Sequence, residues 1–299
     1  MSADVRVAGV GMVPFATPSA GKRYEDLARE AIRAALTDAG LALDDVGHAF
    51  ASYVYGDSAC GQAALYEVGM TGVPVVNVNN NCASGSSALW LARQTVAGGE
   101  TDVALAFGFE QMRRGALVEH WPDRLGPASR YLDRHDDLYG TEEGVPLAAQ
   151  LFGGAGRAYM EEYGISAEVF GMISVKARRH AAHNPYAVFR DPVTLEEVMA
   201  SPHIYGPLTR LQCCPPTSGA AAVVLVGAEY ARRRGLPATG ASPVRPSPPT
   251  ARRASRATCA RSSGTTSPPR PRPWPTSGRA SVPRTSPWWS CTTASPPTS

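Results

Sequence analysis

The sequence changes character near residue 237, and this change limits how much of the chain one fold can include. Residues 1–230 hold all 26 acidic side chains and 17 of the 29 basic ones, which gives a net charge of −9. Residues 231–299 hold 12 Arg, 14 of the 26 Pro and no Asp or Glu, which gives +12. Because the tail is rich in Pro and Arg and poor in buriable side chains, we expect residues 237–299 to be disordered. The overall charge of +3 therefore describes neither part.

Several classes of protein are excluded by simple counts. The longest apolar run, residues 220–228, is far shorter than the roughly 20 residues that cross a bilayer, so we expect no membrane insertion. The first residues, MSADVRVAGVG, lack a basic region followed by a long apolar stretch, which favours a cytoplasmic protein over a secreted one. The six cysteines show no paired spacing typical of a metal site.

An evolved basic tail remains an alternative to be weighed. Segments rich in Arg can bind nucleic acid through phosphate contacts, and such binding weakens steeply with salt. The 12 Arg are scattered among Pro, Ser and Thr, and no aromatic stacking pattern recurs. We therefore predict no nucleic-acid partner.

Apolar runs alternate with helical patterns through the first half of the chain. We predict a parallel α/β sheet covered on both faces, since strands and helices alternate at short spacing. The predicted strands lie at 5–13, 46–54, 73–78 and 102–109, and the predicted helices at 24–40, 57–69 and 83–97.

The middle of the chain is different. Residues 112–144 show no sustained period and predict a long loop, of the kind that often binds a ligand. Helices are predicted at 147–163, at 167–182 and from Thr194, whose capping box closes at Glu197. Residues 220–228 then predict a return to a buried strand.

The segment VPVVNVNNNCASGSSALWLARQ, residues 73–94, is the most informative in the sequence. A buried strand ends in three Asn, and Cys82 follows at the predicted first turn of a helix made of small residues. That position places the thiol near unpaired backbone N–H groups and the positive end of the helix dipole, which favours the thiolate. Cys82 is therefore a candidate nucleophile, and a buried structural cysteine is the alternative.

These residues carry a resemblance to thiolases of the sterol-carrier-protein, or lipid-transfer, type. It runs over about residues 5–236 and includes YVYGDSACGQAALY (53–66), MTGVPVVNVNNNCASGSSAL (70–89), ALAFGFEQM (104–112), FGGAGRAYMEEYG (152–164) and LTRLQCCPPTSGAAA (208–222). The resemblance implies an α/β thiolase-like N-terminal half, a βαβαβαβ layered sheet with helices on both faces. The implied domains are residues 1–118 and 206–236 for the thiolase N-terminal domain and 119–205 for an inserted helical loop domain.

The resemblance also implies a reaction. Cys82 would take the acyl group of a 3-oxoacyl-CoA, with coenzyme A as co-substrate, no bound cofactor and no metal. Phe152 would line the acyl pocket, although a Phe beside glycines is more often plain core. Met112 and Glu110 lie at a strand end near the expected site, where Met112 would contact the substrate, and a structural role is an equal reading for both. Such enzymes are homodimers, and we expect the same here.

The resemblance leaves part of the expected machinery unmatched. The family places a His in an HDCF segment, a His in a GHP segment and a second acid/base Cys in its C-terminal half, and none of these segments occurs in the 299 residues. None of the six His lies in such a context, so we expect them to be surface or packing residues and the printed chain to be inactive.

A shift of reading frame explains the tail at the level of codons. If each true codon is the third base of one codon plus the first two of the next, RTSPWWSCTTASPPTS (284–299) can become EDVAVVELHDCFAPNE, which contains the missing HDCF segment. In the same register RPSPPT (245–250) can become QALTTD and SSGTTS (262–267) can become VVGYDV. We therefore interpret residues 237–299 as a frameshift product.

Three functional hypotheses stay open at this point. The first is a thiolase-lineage acyltransferase. The second is a thiolase-like CoA-dependent retro-aldolase, which cleaves a carbon–carbon bond without an acyl-cysteine. The third is a non-catalytic protein that binds acyl-CoA. Selective labelling of Cys82 by iodoacetamide separates the first from the others.

Overall fold

The computed structural model describes residues 4–113, 121 and 123–236. Seven strands, eight α-helices and three short 3-10 helices lie in these ranges. The strands are β1 (Val5–Met12), β2 (His48–Ser52), β3 (Val75–Val78), β4 (Val103–Glu110), β5 (His203–Tyr205), β6 (Leu208–Thr209) and β7 (Gly219–Gly227). The helices are α1 (Tyr24–Ala39), α2 (Cys60–Tyr66), α3 (Ser84–Gly98), α4 (Ser129–Tyr139), α5 (Leu147–Tyr163), α6 (Glu168–Ala181), α7 (Leu195–Ala200) and α8 (Ala228–Arg234).

Five strands form one sheet in the order β1-β7-β4-β2-β3. β2 is parallel to both β3 and β4, whereas β7 is antiparallel to both β1 and β4. The α/β class is confirmed, but the prediction of a wholly parallel sheet was wrong. β7 is apolar along its whole length. A fully buried strand has the same sequence pattern whether it is parallel or antiparallel to its neighbours, so the sequence could not show the direction of β7.

Helices cover both faces of this sheet, as the sequence predicted. Alternating strand residues divide between two apolar clusters, because successive side chains point to opposite faces. Leu105 and Val224 belong to the cluster beneath α1, where Ile32 is wholly buried. Ala104 and Leu225 belong to the cluster beneath α3. Four of the seven buried residues in this second cluster are alanines, whose small side chains suit a close approach of α3 to the strands.

Small residues also bring α1 against β1. A Cβ at Gly11 would lie 2.1 Å from the backbone oxygen of Ala31, and one at Gly9 would lie 2.3 Å from that of Ala35. Neither contact can be relieved by a side-chain rotation, because backbone atoms are involved. The glycines of VRVAGVGM thus set the distance between strand and helix.

The chain between β4 and β7 forms a mainly helical segment that contains α4–α7 and the β5–β6 hairpin. The predicted loop at 112–144 was wrong in part, since α4 lies inside it. The capping box before α7 is confirmed: Glu197 N donates to Thr194 Oγ1 at 3.1 Å, and Thr194 N donates to Glu197 Oε2 at 2.7 Å. The boundaries proposed for the inserted domain stay a prediction, and the predicted disordered tail at 237–299 lies outside the described residues.

His135 joins the parts of this inserted segment. Its ring is 1% exposed, and its Nε2 lies 2.9 Å from the carbonyl oxygen of Gln150. The rings of Tyr139 and Tyr205 each lie 5.5 Å from it, centroid to centroid. A Cβ at Gly154 would lie 2.5 Å from His135 Nε2, so a glycine is required at that position of α5. His135 therefore has the packing role expected of it.

Within the described part of the chain, no helix combines the length and apolarity that crossing a membrane requires.

Candidate active site

The carboxyl ends of three adjacent parallel strands meet at one edge of the sheet. β2 lies between β3 and β4, and Ser52 is paired with Val78 on one side and with Gly108 on the other. The chain passes from β2 to β3 on one side and then crosses to β4 on the other. In open α/β sheets such a switch of direction opens a crevice at the carboxyl ends, where ligands bind.

The turn after β3 is built by its asparagines. Asn79 Oδ1 accepts a hydrogen bond from Asn81 N at 3.1 Å, and Asn81 has a φ of 49°, a left-handed conformation that Asn tolerates well. Asn80 N donates to Ser84 Oγ at 2.8 Å, and Ser84 Oγ donates to the carbonyl oxygen of Asn81 at 2.6 Å. Ser84 is buried, so this serine locks the turn against the helix that follows.

Cys82 lies between this turn and α3. The helix begins at Ser84 with Ala83 as its N-cap, so Cys82 precedes the helix and the prediction of a first-turn position was wrong by about two residues. A turn through Asn81 delays the first helical residue, and helix ends are commonly displaced by this amount. The side chain is exposed, with Sγ 3.9 Å from Asn81 Oδ1. The alternative of a buried structural cysteine is thus excluded by its exposure.

Glu110 is the last residue of β4. Its carboxylate accepts hydrogen bonds from the backbone N–H of Val54 at 2.5 Å and from that of Tyr55 at 3.4 Å. Burial raises the pKa of Glu110, and the two N–H donors oppose that rise in part. Glu110 therefore fixes the segment after β2 to the end of β4, a role that the sequence left undecided.

Tyr55 lies at the same edge, and no pattern in the sequence pointed to it. Its half-buried phenol lies within electrostatic reach of both Glu110 and Cys82. Burial raises the pKa of Tyr55, and the charges of Glu110 and Cys82 raise it further. The signal that could have found it is its place three residues beyond the end of the middle strand.

Met112 and Phe152 have different surroundings. Met112 is half-buried, and its backbone N–H donates to Ser218 Oγ at 3.0 Å, which ties the end of β4 to the start of β7. Phe152 lies on α5 with 73% of its surface exposed, so the reading of Phe152 as plain core was wrong for the described residues. A pocket role for Phe152 stays a prediction.

Two cavities are lined mainly by other parts of the chain, although Ser218, whose hydroxyl accepts a hydrogen bond from Met112 N, lines the second. One of about 320 Å³ is in the inserted segment between α4 and α5, and one of about 220 Å³ is beside the β1–α1 connection. Their linings include none of Cys82, Met112 and Phe152. Cys82 itself is exposed at the carboxyl edge of the sheet.

Four thiols fall among the described residues, and all are free. Cys60 is buried, Cys213 is partly buried, and Cys82 and Cys214 are exposed. Burial raises the pKa of Cys213. Over residues 4–113, 121 and 123–236, no group of three His, Cys, Asp or Glu is placed to hold a metal ion.

Comparisons with known proteins agree with this architecture. A family model described as the thiolase N-terminal domain matches residues 5–229. Sterol carrier protein 2 of Gallus gallus is 45% identical over 238 residues, which cover 79% of this chain and 43% of that protein. The acetyl-CoA acetyltransferase of Methanothermobacter thermautotrophicus is 32% identical over 234 residues, 77% of this chain and 58% of the relative.

A solved structure shows the same relationship. The chain titled Ltp2-ChsH2(DUF35) aldolase matches with a TM-score of 0.63 and 29% identity, over 77% of this chain and 57% of that chain. The chain thus spans about half the length of the relatives it matches. The family model matches residues 5–229, and the structure has the strand, turn and helix around Cys82. The chain therefore belongs to the thiolase family and is related to its sterol-carrier-protein members.

Proposed function

We propose that this chain is the nucleophile-bearing half of a thiolase-family acyltransferase, which cleaves 3-oxoacyl-CoA through an acyl-cysteine at Cys82. The observation that carries the proposal is the position of Cys82. Its exposed thiol lies at the carboxyl edge of β3, directly before the N-terminus of α3. The first backbone N–H groups of a helix lack intrahelical acceptors and favour a negative charge nearby.

In the proposed cleavage of 3-oxoacyl-CoA, Cys82 is the attacking group. The Cys82 thiolate attacks the 3-oxo carbon of the substrate, a sulfur–carbon bond forms and the bond between carbons 2 and 3 breaks. The electron pair of that bond leaves with carbons 1 and 2, which stay joined to CoA, as an acetyl-CoA or propionyl-CoA carbanion that takes up a proton, and the shortened acyl group stays on Cys82. Coenzyme A then attacks the acyl-cysteine as co-substrate and restores the thiol.

The remaining expectations are part of the same proposal. We propose an organisation of residues 1–118 and 206–236 as the thiolase N-terminal domain with residues 119–205 inserted. No bound cofactor is required, because the nucleophile is a side chain and the acyl carrier is a co-substrate. Acyl-CoA and CoA are the proposed partners, and the homodimer expected from the family would form from intact chains.

Acylation by a simple acyl-CoA tests Cys82 without requiring the whole cycle. The full chain is incubated with acetyl-CoA, and the added mass is mapped by mass spectrometry of peptides. We expect one acyl group per chain on Cys82, release of one free CoA thiol and no acylation of Cys82→Ser. Cys214→Ser is the matched control, because Cys214 is also exposed, and it should retain acylation. Equal acylation of Cys82 and Cys214 would refute a selective nucleophile.

A thiolase-like retro-aldolase is the second candidate, and the structural likeness to the Ltp2-ChsH2(DUF35) aldolase supports it. Such an enzyme cleaves without an acyl-cysteine. Cleavage of a 3-hydroxyacyl-CoA that persists in Cys82→Ser would support this candidate, and the absence of both cleavage and acylation would leave binding of acyl-CoA alone.

The tail carries a separate proposal. The family match ends at residue 229, shortly before the composition changes. We propose that residues 237–299 are translated out of frame. Sequencing of the coding DNA tests this: the neighbouring frame should encode an HDCF segment followed by a GHP segment, and a neighbouring frame without them would contradict the proposal.

A further inference from the structure

The thiol of Cys82 has a hydrogen-bond partner within its own turn. Sγ lies 3.9 Å from Oδ1 of Asn81, and the thiol donates its S–H to that oxygen. The contact is long because sulfur is a large atom and S–H is a weak donor. Both residues are exposed, so a substrate that reaches the thiol also meets the carboxamide of Asn81.

The turn holds Asn81 by its backbone. Its N–H donates to Asn79 Oδ1 at 3.1 Å, and its carbonyl oxygen accepts the hydroxyl of Ser84 at 2.6 Å. Its φ of 49° is in the left-handed region, which Gly and Asn adopt more readily than other residues. Among the hydrogen bonds of the described residues, none that builds this turn uses the carboxamide of Asn81. The backbone therefore places the side chain, and the carboxamide is left to contact the thiol.

The carboxamides of the other two asparagines are used inside the turn. Asn79 Oδ1 accepts the N–H of Asn81, and Asn80 Nδ2 donates to Ser87 Oγ at 2.9 Å. The carboxamide of Asn81 is the one that the structure places against Sγ. The three consecutive asparagines thus have separable roles, two in the folding of the turn and one at the nucleophile.

From this contact we infer that Asn81 is a further catalytic residue, whose carboxamide is hydrogen-bonded to Cys82 Sγ both before and after the thiol loses its proton. The inference rests on the proposed function for its biological meaning. When the proton passes to solvent, the thiolate can only accept, and Oδ1 is no longer a suitable partner. A half-turn about χ2 exchanges Oδ1 for Nδ2 at the same place, because the two ends of a carboxamide are similar in size. Nδ2–H then donates to the thiolate and stabilises it.

Two substitutions separate the carboxamide from the backbone conformation. Asn81→Gly removes the carboxamide and provides a residue that adopts a φ of 49° without strain. Asn81→Asp keeps the shape and Oδ1, but an ionised carboxylate cannot donate and repels a thiolate. Asn79→Asp is the matched control, because it keeps the acceptor for Asn81 N and adds the same charge to the same turn.

The experiment measures the rate of Cys82 alkylation by iodoacetamide from pH 6 to pH 10 in the full chain. Because the lost hydrogen bond is made to a charged atom, Asn81→Gly should lower the rate about 10-fold below the midpoint of the pH profile and move the midpoint up by about one pH unit. Asn81→Asp should move the midpoint further in the same direction. Asn79→Asp should move it less than Asn81→Asp does, because its carboxylate is bonded to Asn81 N.

The plateau at high pH separates loss of the thiolate from damage to the site. There the rate in each variant should be no lower than in the wild type, since a less stabilised thiolate is no weaker as a nucleophile. Cys214 is also exposed, and its alkylation in each sample gives the rate of an exposed thiol outside the turn.

An unshifted profile in a folded Asn81→Gly variant would overturn the inference, and so would equal shifts in Asn79→Asp and Asn81→Asp. If the variants of Asn81 do not fold, nuclear magnetic resonance of the ¹⁵N-labelled wild type replaces them. The Nδ2 proton resonances of Asn81 should move with the same midpoint as the alkylation rate, and they should not do so in Cys82→Ser. Resonances that do not respond to ionisation of the thiol would overturn the inference as well.

The outcomes for this inference and for the proposed function are distinguishable. A shifted alkylation profile without acylation by acetyl-CoA would retain Asn81 as the partner of the thiolate and reject the acyltransferase. Acylation at Cys82 with unshifted profiles would retain the acyltransferase and reject the role of Asn81.

Discussion

Gly108 of β4 lies directly against Ser52 of β2, and its replacement by alanine is expected to destabilise the edge that holds the candidate site. A Cβ at Gly108 would lie 2.3 Å from Ser52 Oγ and 3.2 Å from the Ser52 carbonyl oxygen. Ser52 is 4% exposed, and its hydroxyl donates to the carbonyl oxygen of Phe107 at 3.1 Å. The hydroxyl can leave the new methyl group only by giving up that buried hydrogen bond.

The magnitude follows from these contacts. Overpacking of a close-packed interior costs about 1–3 kcal/mol, and loss of the hydrogen bond adds about 1 kcal/mol. β4 has a hydrogen-bonded partner on each side, with Gly108 paired to Ser52 and to Ala221, so the backbone cannot move away. We expect Gly108→Ala to lower the free energy of unfolding by about 2–4 kcal/mol.

A double-mutant cycle in urea identifies the cause. Ser52→Ala alone should cost about 1 kcal/mol, and it leaves its Cβ 3.6 Å from the new methyl group, an ordinary contact. The double variant should therefore be more stable than the sum of the single effects by about 1–3 kcal/mol. Additive effects, or Gly108→Ala within about 0.5 kcal/mol of the wild type, would refute the argument.

Gly98→Ala is the control for glycine replacement as such. Gly98 is in the last position of α3, and a Cβ there meets nothing within 4 Å. Because alanine restricts the unfolded chain and fits a helix, this variant should be stabilised by about 0.5–1 kcal/mol.

Three further predictions concern single contacts. Burial raises the pKa of Glu110 above its ordinary value of 4.5, so the folded state is favoured while this carboxyl is protonated. The wild type should therefore lose stability relative to Glu110→Gln as the pH rises above 4.5 through the folded-state pKa. Urea titrations of both proteins at several pH values measure this, and a difference in stability that does not change with pH would contradict it. Gly154→Ala, whose Cβ would lie 2.5 Å from His135 Nε2, should increase proteolysis within the inserted segment, and an unchanged cleavage pattern would contradict it. Thr194→Ala removes the hydrogen bond to Glu197 N and should cost about 1 kcal/mol in the same urea assay, with Thr194→Ser close to the wild type.

Much of the fold followed from periodicity. The strands at 102–109 and 220–228 appeared within a residue of their predicted bounds, because long apolar runs bounded by Gly and polar residues have few alternatives. α4 was missed because SRYLDRHDDLY is mostly polar, and only His135 of its residues is fully buried. Its few apolar residues do recur at helical spacing, but the segment as a whole is too polar to have been recognised as a helix.

The sequence also could not predict which residues of neighbouring strands lie in close contact. A glycine within a strand pattern predicts that something lies near the backbone, but it does not say what. Gly108 meets Ser52, which precedes it by 56 residues, and that pairing depends on β2 being the neighbour of β4. Sequence can therefore mark Gly108 as constrained, while only the sheet order identifies the partner.

The same reasoning explains why Cys82 was recognised and Tyr55 was not. Cys82 stands in a local pattern, a strand followed by an Asn turn and a helix of small residues, and every part of that pattern is contiguous. The relation of Tyr55 to Cys82 is not contiguous: it depends on β2 lying between β3 and β4, although β2 precedes both along the chain. In a chain with the order β2-β3-β4, the end of β2 would be one strand further from the end of β4, and Glu110 could not hold the backbone of Tyr55. The strand order thus determines that Glu110 holds the segment after β2 between the ends of β3 and β4, a relation that no contiguous pattern in the sequence contains.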